Sequence, residues 1–232
     1  MKVTRDVVEE ALESERRLII ISLAMLDNTE RVLSQTLSSV LEFYGRPEMH
    51  FPIYTAIKEV ALNGVKANMK RITYLKHRLN PHEPDHREEG VRLLKERIEA
   101  GHLEEFARES HRLGYMVSIE FVLEPEVFFI EVKNNTGMSL EEDRRIRHKL
   151  RESLRYDNVA DFFLEEDQGK GDEGAGLGMT LISVMLRSQN IDPHCFVMFS
   201  KGETTVGRLE IPIAEGYQTR RQRWAMQNHL AS

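Results

Sequence analysis

The sequence has little cysteine, no excess of basic residues and no long apolar run. Its one cysteine among 232 residues, Cys195, excludes an internal disulfide framework and is typical of a reducing compartment. Lys and Arg number 32 against 38 Asp and Glu, and the net charge of -6 gives no basic stripe for nucleic acid. The longest apolar stretch, residues 18–26, has about half the length of a membrane span, and no secretory signal precedes it. We therefore expect a cytoplasmic protein that binds neither nucleic acid nor membrane.

The apolar residues recur with helical or strand periodicity over most of the chain. Helical spacing predicts helices at residues 3–15, 27–44, 52–79, 87–100, 103–113, 140–154 and 179–188. Strand-like runs occur at residues 115–123, 127–133, 196–200 and 205–213. Residues 18–26 fit either a strand or the start of a buried helix. Because helices and antiparallel strands are grouped rather than alternating, the pattern favours an α+β fold over a doubly wound parallel sheet.

The helix at 52–79 carries Glu59, Asn63 and Lys66 at positions i, i+4 and i+7. At 3.6 residues per turn they lie within an arc of about 60° on one ridge. An amide oxygen is a hard ligand for magnesium, a carboxylate can orient water, and a lysine offsets phosphate charge. The row therefore suits a polyphosphate and its metal, although a solvated helix face explains the same row when it is taken alone.

Two further polar segments could approach a ligand. Residues 134–137, Asn-Asn-Thr-Gly, leave a strand and can aim side chains into a cleft, although an ordinary strand-to-helix turn has the same composition. Residues 174–178, Gly-Ala-Gly-Leu-Gly, open a helix, where backbone N–H groups can approach anionic oxygens. Met179 excludes a Rossmann fingerprint, and the residues around Gly169-Lys170 exclude a Walker A loop.

The three segments occur in a fixed order and are followed by a hairpin, KGETTVGRLEIPI, at residues 201–213. In this order they resemble the GHKL superfamily of ATPases, which includes histidine kinases, gyrase-type enzymes, mismatch-repair proteins and bacterial anti-sigma serine kinases. The resemblance covers residues 51–213 and implies a Bergerat-type fold, a two-layer α+β sandwich whose mixed, mainly antiparallel sheet is covered by helices on one face. Residues 1–50 would then be an N-terminal helical interaction segment, about 80–114 a helical insertion, and 214–232 a polar C-terminal tail.

Carried over by position, the resemblance implies that ATP and Mg²⁺ are the ligands. Asn63 would ligate magnesium, Glu59 would be the catalytic or water-orienting acid, and Lys66 would face phosphate. Residues 165–173 would form a lid, and Asn134 or Asn135 would stand where the family has an aspartate that binds adenine. An asparagine accepts that hydrogen bond without charge assistance, so adenine should be held more weakly. The remaining nucleotide-binding positions are Gly137, Gly174, Gly176, Leu177, Gly178 and Thr204.

The segment before residue 50 contains no histidine, so the usual phosphoacceptor of a self-phosphorylating histidine kinase is missing there. The resemblance then implies a bacterial signalling protein that acts as a kinase or ATPase on a separate protein partner. The alternative is a non-catalytic pseudo-kinase or scaffold that binds partner proteins through residues 1–45 or 80–114. The apolar stripe of the helix at 27–44 suits a homodimer through the N-terminal helices or simple packing on its own domain.

Two other features of the sequence are each open to a functional and to a structural interpretation. A histidine-rich stretch at residues 77–86 could bind zinc, as in a metal-dependent hydrolase, or could be a polar surface linker. Its candidate ligands are His77, His82, Glu83, Asp85 and His86. Cys195 precedes an apolar strand, which favours a core residue over a nucleophile.

Overall fold

The computed structural model describes residues 4–156 and 177–229 of the chain. Within them there are eight α-helices, five β-strands and 3-10 turns at Pro47–Met49 and Pro193–Cys195. The helices are α1 (Arg5–Glu13), α2 (Asp27–Phe43), α3 (His50–His77), α4 (Pro84–Glu99), α5 (Leu103–Leu113), α6 (Leu140–Ser153), α7 (Leu177–Ser188) and α8 (Arg220–His229). The strands are β1 (Arg17–Ser22), β2 (Val117–Leu123), β3 (Val127–Asn134), β4 (Phe196–Lys201) and β5 (Thr204–Pro212). None of the described helices is both long and apolar enough to cross a membrane.

The five described strands form one open sheet in the order β1-β2-β3-β5-β4. Every pairing between them is antiparallel, so the α+β class is confirmed, and the mixed character expected of the sheet is not seen in these strands. Of the ambiguous residues 18–26, the first five belong to β1, which places Ile20 opposite Ile119 of β2. A local apolar pattern could not decide this, because the partner strand follows four helices later in the chain.

The apolar core lies between one face of the sheet, the inner face, and the helices α2 and α3. Strand β2 directs alternate side chains into it, as the period of two in a strand requires; these are Val117, Ile119, Phe121 and Leu123. Four side chains of α2 at helical spacing are completely buried in the same core, namely Leu33, Leu37, Val40 and Leu41. The apolar stripe of α2 is therefore packed on its own domain. Residues 17–43 share the sheet and the core with the residues after 50.

The expected insertion at 80–114 forms α4 and α5, which pack against the C-terminal half of α3. Gly90 of α4 lies so close to Tyr74 of α3 that a β-carbon would come within 2.4 Å of the Tyr74 ring, which excludes a larger residue unless the ring moves. In α5, Phe106 is completely buried in the main core, and the Arg97 guanidinium lies 3.9 Å over its ring. The insertion is therefore part of the same packed unit as α3.

The opposite face of the sheet, the outer face, carries a cluster of charges. Glu120 of β2 and Glu131 of β3 are direct cross-strand partners, and only 12% and 10% of their side chains are exposed. Lys133 lies 2.6 Å from Glu120 and 3.0 Å from Glu131, Arg17 lies 2.8 Å from Glu120, and Arg208 lies 2.7 Å from Glu131. Because like charges directly opposite each other are destabilising, the three cations are needed to keep both carboxylates ionised.

This cluster predicts a loss of stability in acid. Burial raises the pKa of Glu120 and Glu131, but hydrogen bonds from Lys133 and the two arginines outweigh it and hold both pKa values below their usual range. A carboxylate with a depressed pKa stabilises the fold above its unfolded pKa of about 4.3, and that stability is lost as the pH falls through the folded value. We expect Glu131→Gln to lower the free energy of unfolding in urea at pH 7 and to flatten its decrease below about pH 5.

The matched control for this acid profile is Glu13→Gln, since Glu13 is exposed and has no ion pair within the described residues. Glu13→Gln should change neither the free energy of unfolding at pH 7 nor the steepness of its decrease in acid. An acid profile of Glu131→Gln that follows the native profile would contradict the assigned role of the cluster.

The expected polar tail is anchored to the outer face of the sheet where α8 begins. Glu210 of β5 accepts hydrogen bonds from the Tyr217 hydroxyl at 2.9 Å and from the Arg220 backbone N–H at 3.1 Å. The Arg220 guanidinium lies 4.3 Å over the ring of Phe129 in β3. The first turn of α8 therefore covers part of the outer face.

Candidate functional site

A pocket of about 340 Å³ lies between α3, α6 and the inner face of the sheet. Its floor and walls are mainly apolar, and charged side chains surround them. The floor, on the sheet, consists of Val132, Asn134, Met198, Thr205 and Gly207. Helix α3 contributes Val60, Asn63, Gly64, Lys66, Ala67, Lys70 and Arg71. Helix α6 contributes Glu142, Arg145, Ile146 and Lys149, and Leu94 and Met138 complete the lining. This combination suits a ligand with one flat apolar part and one anionic part.

Two contacts fix α6 antiparallel to α3 across this pocket. Before α6 begins, Arg71 of α3 donates a hydrogen bond to the Gly137 carbonyl at 2.6 Å. At the end of α6, the hydroxyls of Ser153 and of Ser183 in α7 lie 2.7 Å apart, and α7 packs on the N-terminal half of α3. The first residues of α6 therefore lie near Arg71, and its last residues lie toward the N-terminal half of α3.

Of the two candidate asparagines, Asn134 lines the pocket and Asn135 does not. Asn134 Nδ2 donates to the Gly64 carbonyl at 3.2 Å, while its Oδ1 is buried and has no hydrogen-bond partner in the described part of the chain. A buried acceptor without a partner costs on the order of 1–3 kcal/mol, so a donor on a bound molecule would stabilise it. Asn135 is committed elsewhere, since its Oδ1 accepts from the Met116 N–H at 2.9 Å and its Nδ2 donates to the Gly114 carbonyl at 2.6 Å.

Asn63 and Lys66 both line the pocket, in agreement with their common ridge on α3. Asn63 is half-buried and Lys66 is exposed. Neither side chain forms a hydrogen bond or ion pair with another described residue. The Asn63 amide oxygen is therefore uncommitted, which fits a magnesium ligand, and the Lys66 ammonium is available to an anion.

The charges around the pocket are predominantly positive and largely unpaired. Five cations face a single carboxylate, and four of them have no carboxylate partner among residues 4–156 and 177–229: Lys66, Lys70, Arg71 and Arg145. That single carboxylate, Glu142, accepts a hydrogen bond from the Ser139 N–H at 2.8 Å in the capping box of its own helix. In a chain with a net charge of -6, unpaired cations around one cavity create a local positive potential that favours an anionic ligand.

Glu59, the first residue of the predicted row, lies one helical turn before Asn63 and outside this pocket. It borders a separate cavity of about 10 Å³ together with Leu181, Ile182 and Met185 of α7. Within the described residues it has no hydrogen bond or ion pair. The structure thus brings two members of the row together in the pocket and places the third beside α7.

The other predicted nucleotide-binding residues have different positions. Thr205 lines the pocket in place of Thr204, and its hydroxyl donates to the Thr136 carbonyl at 2.7 Å. Because strand side chains alternate between faces, this shift of one residue moves the side chain across the sheet. Gly137 supplies the carbonyl that Arg71 binds, and Leu177 and Gly178 begin α7. Gly174, Gly176 and the expected lid at 165–173 lie outside the described residues.

Several lining residues were not predicted from the sequence. They are Lys70, Arg71, Leu94, Arg145 and Lys149. Lys66 and Lys70 are four residues apart, and so are Arg145 and Lys149, so each pair shares a helix face. This four-residue spacing is the sequence pattern that could have predicted a shared basic helix face, but the same spacing is also typical of a solvated helix surface.

The remaining candidates do not form reactive sites in the described residues. No three His, Cys, Asp or Glu side chains of that part of the chain are placed to hold a metal ion, so the zinc interpretation of residues 77–86 has no support. His86, in the first turn of α4, accepts a hydrogen bond at Nδ1 from the Asn80 backbone N–H at 3.0 Å. Cys195 is a core residue, as expected, and burial raises the pKa of its thiol to about 12, which keeps the thiol protonated near neutral pH.

Comparisons with known proteins give one distant relative. The chain is similar to an uncharacterized protein of Treponema pallidum (strain Nichols), with 22% identity over 205 residues. The match covers 88% of this chain and 39% of that protein, so the chain spans about two fifths of the relative's length. No protein-family model matches the chain, and no solved structure matches it.

Proposed function

We propose that the pocket binds ATP with Mg²⁺ in a GHKL-type domain, and that the chain acts as a kinase or ATPase on a separate protein partner. The observation that supports this best is that Asn63, Lys66 and Asn134 line one cavity, although they come from two segments about 70 residues apart. These are the positions to which the resemblance assigns magnesium, phosphate and adenine. A five-stranded antiparallel sheet with helices on its inner face is compatible with a domain of this kind.

The pocket offers a partner to each part of a nucleotide. The apolar floor around Val132 and Met198 suits the faces of a base, and the unpartnered Asn134 oxygen suits its amino group. Asn63 would hold Mg²⁺ through its amide oxygen, and Lys66 would bind phosphate oxygens. The bound metal would offset phosphate charge. A volume of about 340 Å³ lies in the range of small-molecule sites.

Catalysis, as distinct from binding, is assigned to Glu59. A carboxylate one turn from Asn63, with no partner in the described residues, would be available to orient a water molecule or to accept a proton.

We expect Glu59→Gln to reduce phosphate release from ATP by about 100-fold or more while changing the dissociation constant of ATP by less than about threefold. Both quantities should be measured on the same preparations, with Glu13→Gln as the control that changes neither. Equal losses of binding and turnover would contradict a catalytic role.

The second candidate function is a non-catalytic pseudo-kinase or scaffold that keeps the fold and binds partner proteins. It is favoured by the position of Glu59 outside the main pocket and by the uncharged Asn134 at the proposed adenine position. Either ATP binding without phosphate release or transfer, or no binding of any adenine nucleotide at millimolar concentration, would select this function over a kinase or ATPase.

A further inference from the structure

The cations of the pocket form two groups along α3. Lys66, beside the uncharged Asn63, marks the first group, whereas Lys70 and Arg71 follow about one turn after Lys66. Four residues separate Lys66 from Lys70, which corresponds to about 6 Å along a helix axis. A ligand that engages Asn63 and Lys66 through its phosphate chain therefore leaves the second group available about one turn further along α3.

Helix α6 adds one cation to each group. Because α6 runs antiparallel to α3, Arg145 near its start lies on the side of Lys70 and Arg71, and Lys149 lies toward Asn63. Asn134 is held to Gly64, which lies between Asn63 and Lys66, so it lies at the level of the first group. The proposed base position therefore lies beside the first group, and the second group lies about one helical turn further along α3.

The second group has no ion-pair partner within the described residues. Lys70 has only a cation–π contact with Tyr74 at 5.8 Å, and Arg71 donates to the backbone carbonyls of Ala67 at 3.2 Å and Gly137 at 2.6 Å. Arg145 is exposed and forms no described ion pair. In the charge cluster of the outer face, by contrast, Lys133 and Arg208 are paired with carboxylates.

We propose that Lys70, Arg71 and Arg145 form a second anion subsite, and that the pocket takes a nucleotide with a phosphate on its ribose in addition to its 5′ chain. This inference rests on the proposed nucleotide-binding function. Mg²⁺ offsets roughly half the charge of a triphosphate, so Asn63, Lys66 and Lys149 suffice for the 5′ end. Arginine guanidinium groups bind a terminal phosphate through paired hydrogen bonds, which suits the remaining cations to a second phosphate.

The test compares ADP with adenosine 3′-phosphate 5′-diphosphate by calorimetry at a fixed Mg²⁺ concentration. One added charge-assisted contact corresponds to about tenfold in affinity, so the native chain should bind the 3′-phosphorylated nucleotide at least about tenfold more tightly. In the double variant Lys70→Ala/Arg145→Ala, which keeps only Arg71 of the subsite, this ratio should fall several-fold toward one. The ratio is insensitive to a general weakening of the pocket, because both nucleotides share that weakening. Lys95→Ala removes an exposed cation outside the pocket and should leave the ratio unchanged.

The outcomes separate this inference from the function on which it rests. Equal affinity of the native chain for both nucleotides, with ADP clearly bound, would overturn the second subsite and leave the nucleotide site intact. A preference that survives undiminished in the double variant would also overturn it, since the selecting groups would lie elsewhere. No binding of either nucleotide would overturn both proposals.

Discussion

A chain that begins at residue 51 is expected not to fold, although the sequence motifs alone place the nucleotide-binding domain at 51–213. Residues 17–22 form the edge strand β1, which is paired with β2 along its whole length. Helix α2 fills the core with side chains that are completely buried, including Leu33 and Leu37. Without these elements the inner face of β2 and one side of α3 would be exposed to water. Circular dichroism and urea titration of residues 51–229 should show no cooperative transition, whereas residues 4–229 should show one.

The claim that α2 is part of the core can also be tested within the intact chain. Leu37→Ala should lower the free energy of unfolding by about 2–5 kcal/mol, because it removes a buried side chain and leaves a cavity. Leu140→Ala is the matched control, since 79% of Leu140 is exposed, and its effect should remain within about 0.5 kcal/mol. Similar small effects of both variants would contradict the integration of α2 into the core.

The second large effect is expected at Asn63. Replacement by alanine removes the amide oxygen that we assign to Mg²⁺. Because the position on α3 is half-buried, a water molecule there would not replace this oxygen as a fixed ligand of the metal. In the presence of magnesium, Asn63→Ala should weaken ATP binding at least about tenfold, whereas in EDTA the native and variant chains should bind ATP with similar affinity. The measurement is calorimetric titration on folded protein, with circular dichroism as the check of folding.

The control for this variant is Asn28→Ala, which removes an asparagine on the surface of α2. Its side chain contacts Arg31 at 2.8 Å and lies outside the pocket. It should leave the magnesium dependence unchanged. If Asn63→Ala weakened binding equally with and without magnesium, Asn63 would be a nucleotide contact or a structural residue rather than a metal ligand.

Local patterns predicted most helices and strands, and long-range pairing decided the rest. The helix predicted at 52–79 is α3 at His50–His77, and the hairpin of β2 and β3 lies where alternation placed it. Residues 18–26 stayed ambiguous because their strand identity depends on a partner four helices away. The motifs predicted a domain boundary at residue 50 for the same reason. The core that α2 and α3 share consists of contacts between distant residues, which local patterns do not contain.

The pocket was predictable in part. Asn63 and Lys66 were found because both lie on one ridge of a single helix, where spacing determines direction. Choosing Asn134 over Asn135 required the hydrogen bonds that commit Asn135 to the start of β2. The contribution of α6 could not be predicted, because Arg145 and Lys149 have the composition of a solvated surface until α6 is placed across α3.

The central claim is that this pocket binds ATP through magnesium, and a calorimetric titration of the native chain with ATP tests it most directly. The titration should be performed once with millimolar Mg²⁺ and once in EDTA. We expect saturable binding of one ATP per chain that is at least about tenfold tighter with magnesium. No binding in either condition, or the same affinity in both, would contradict the claim.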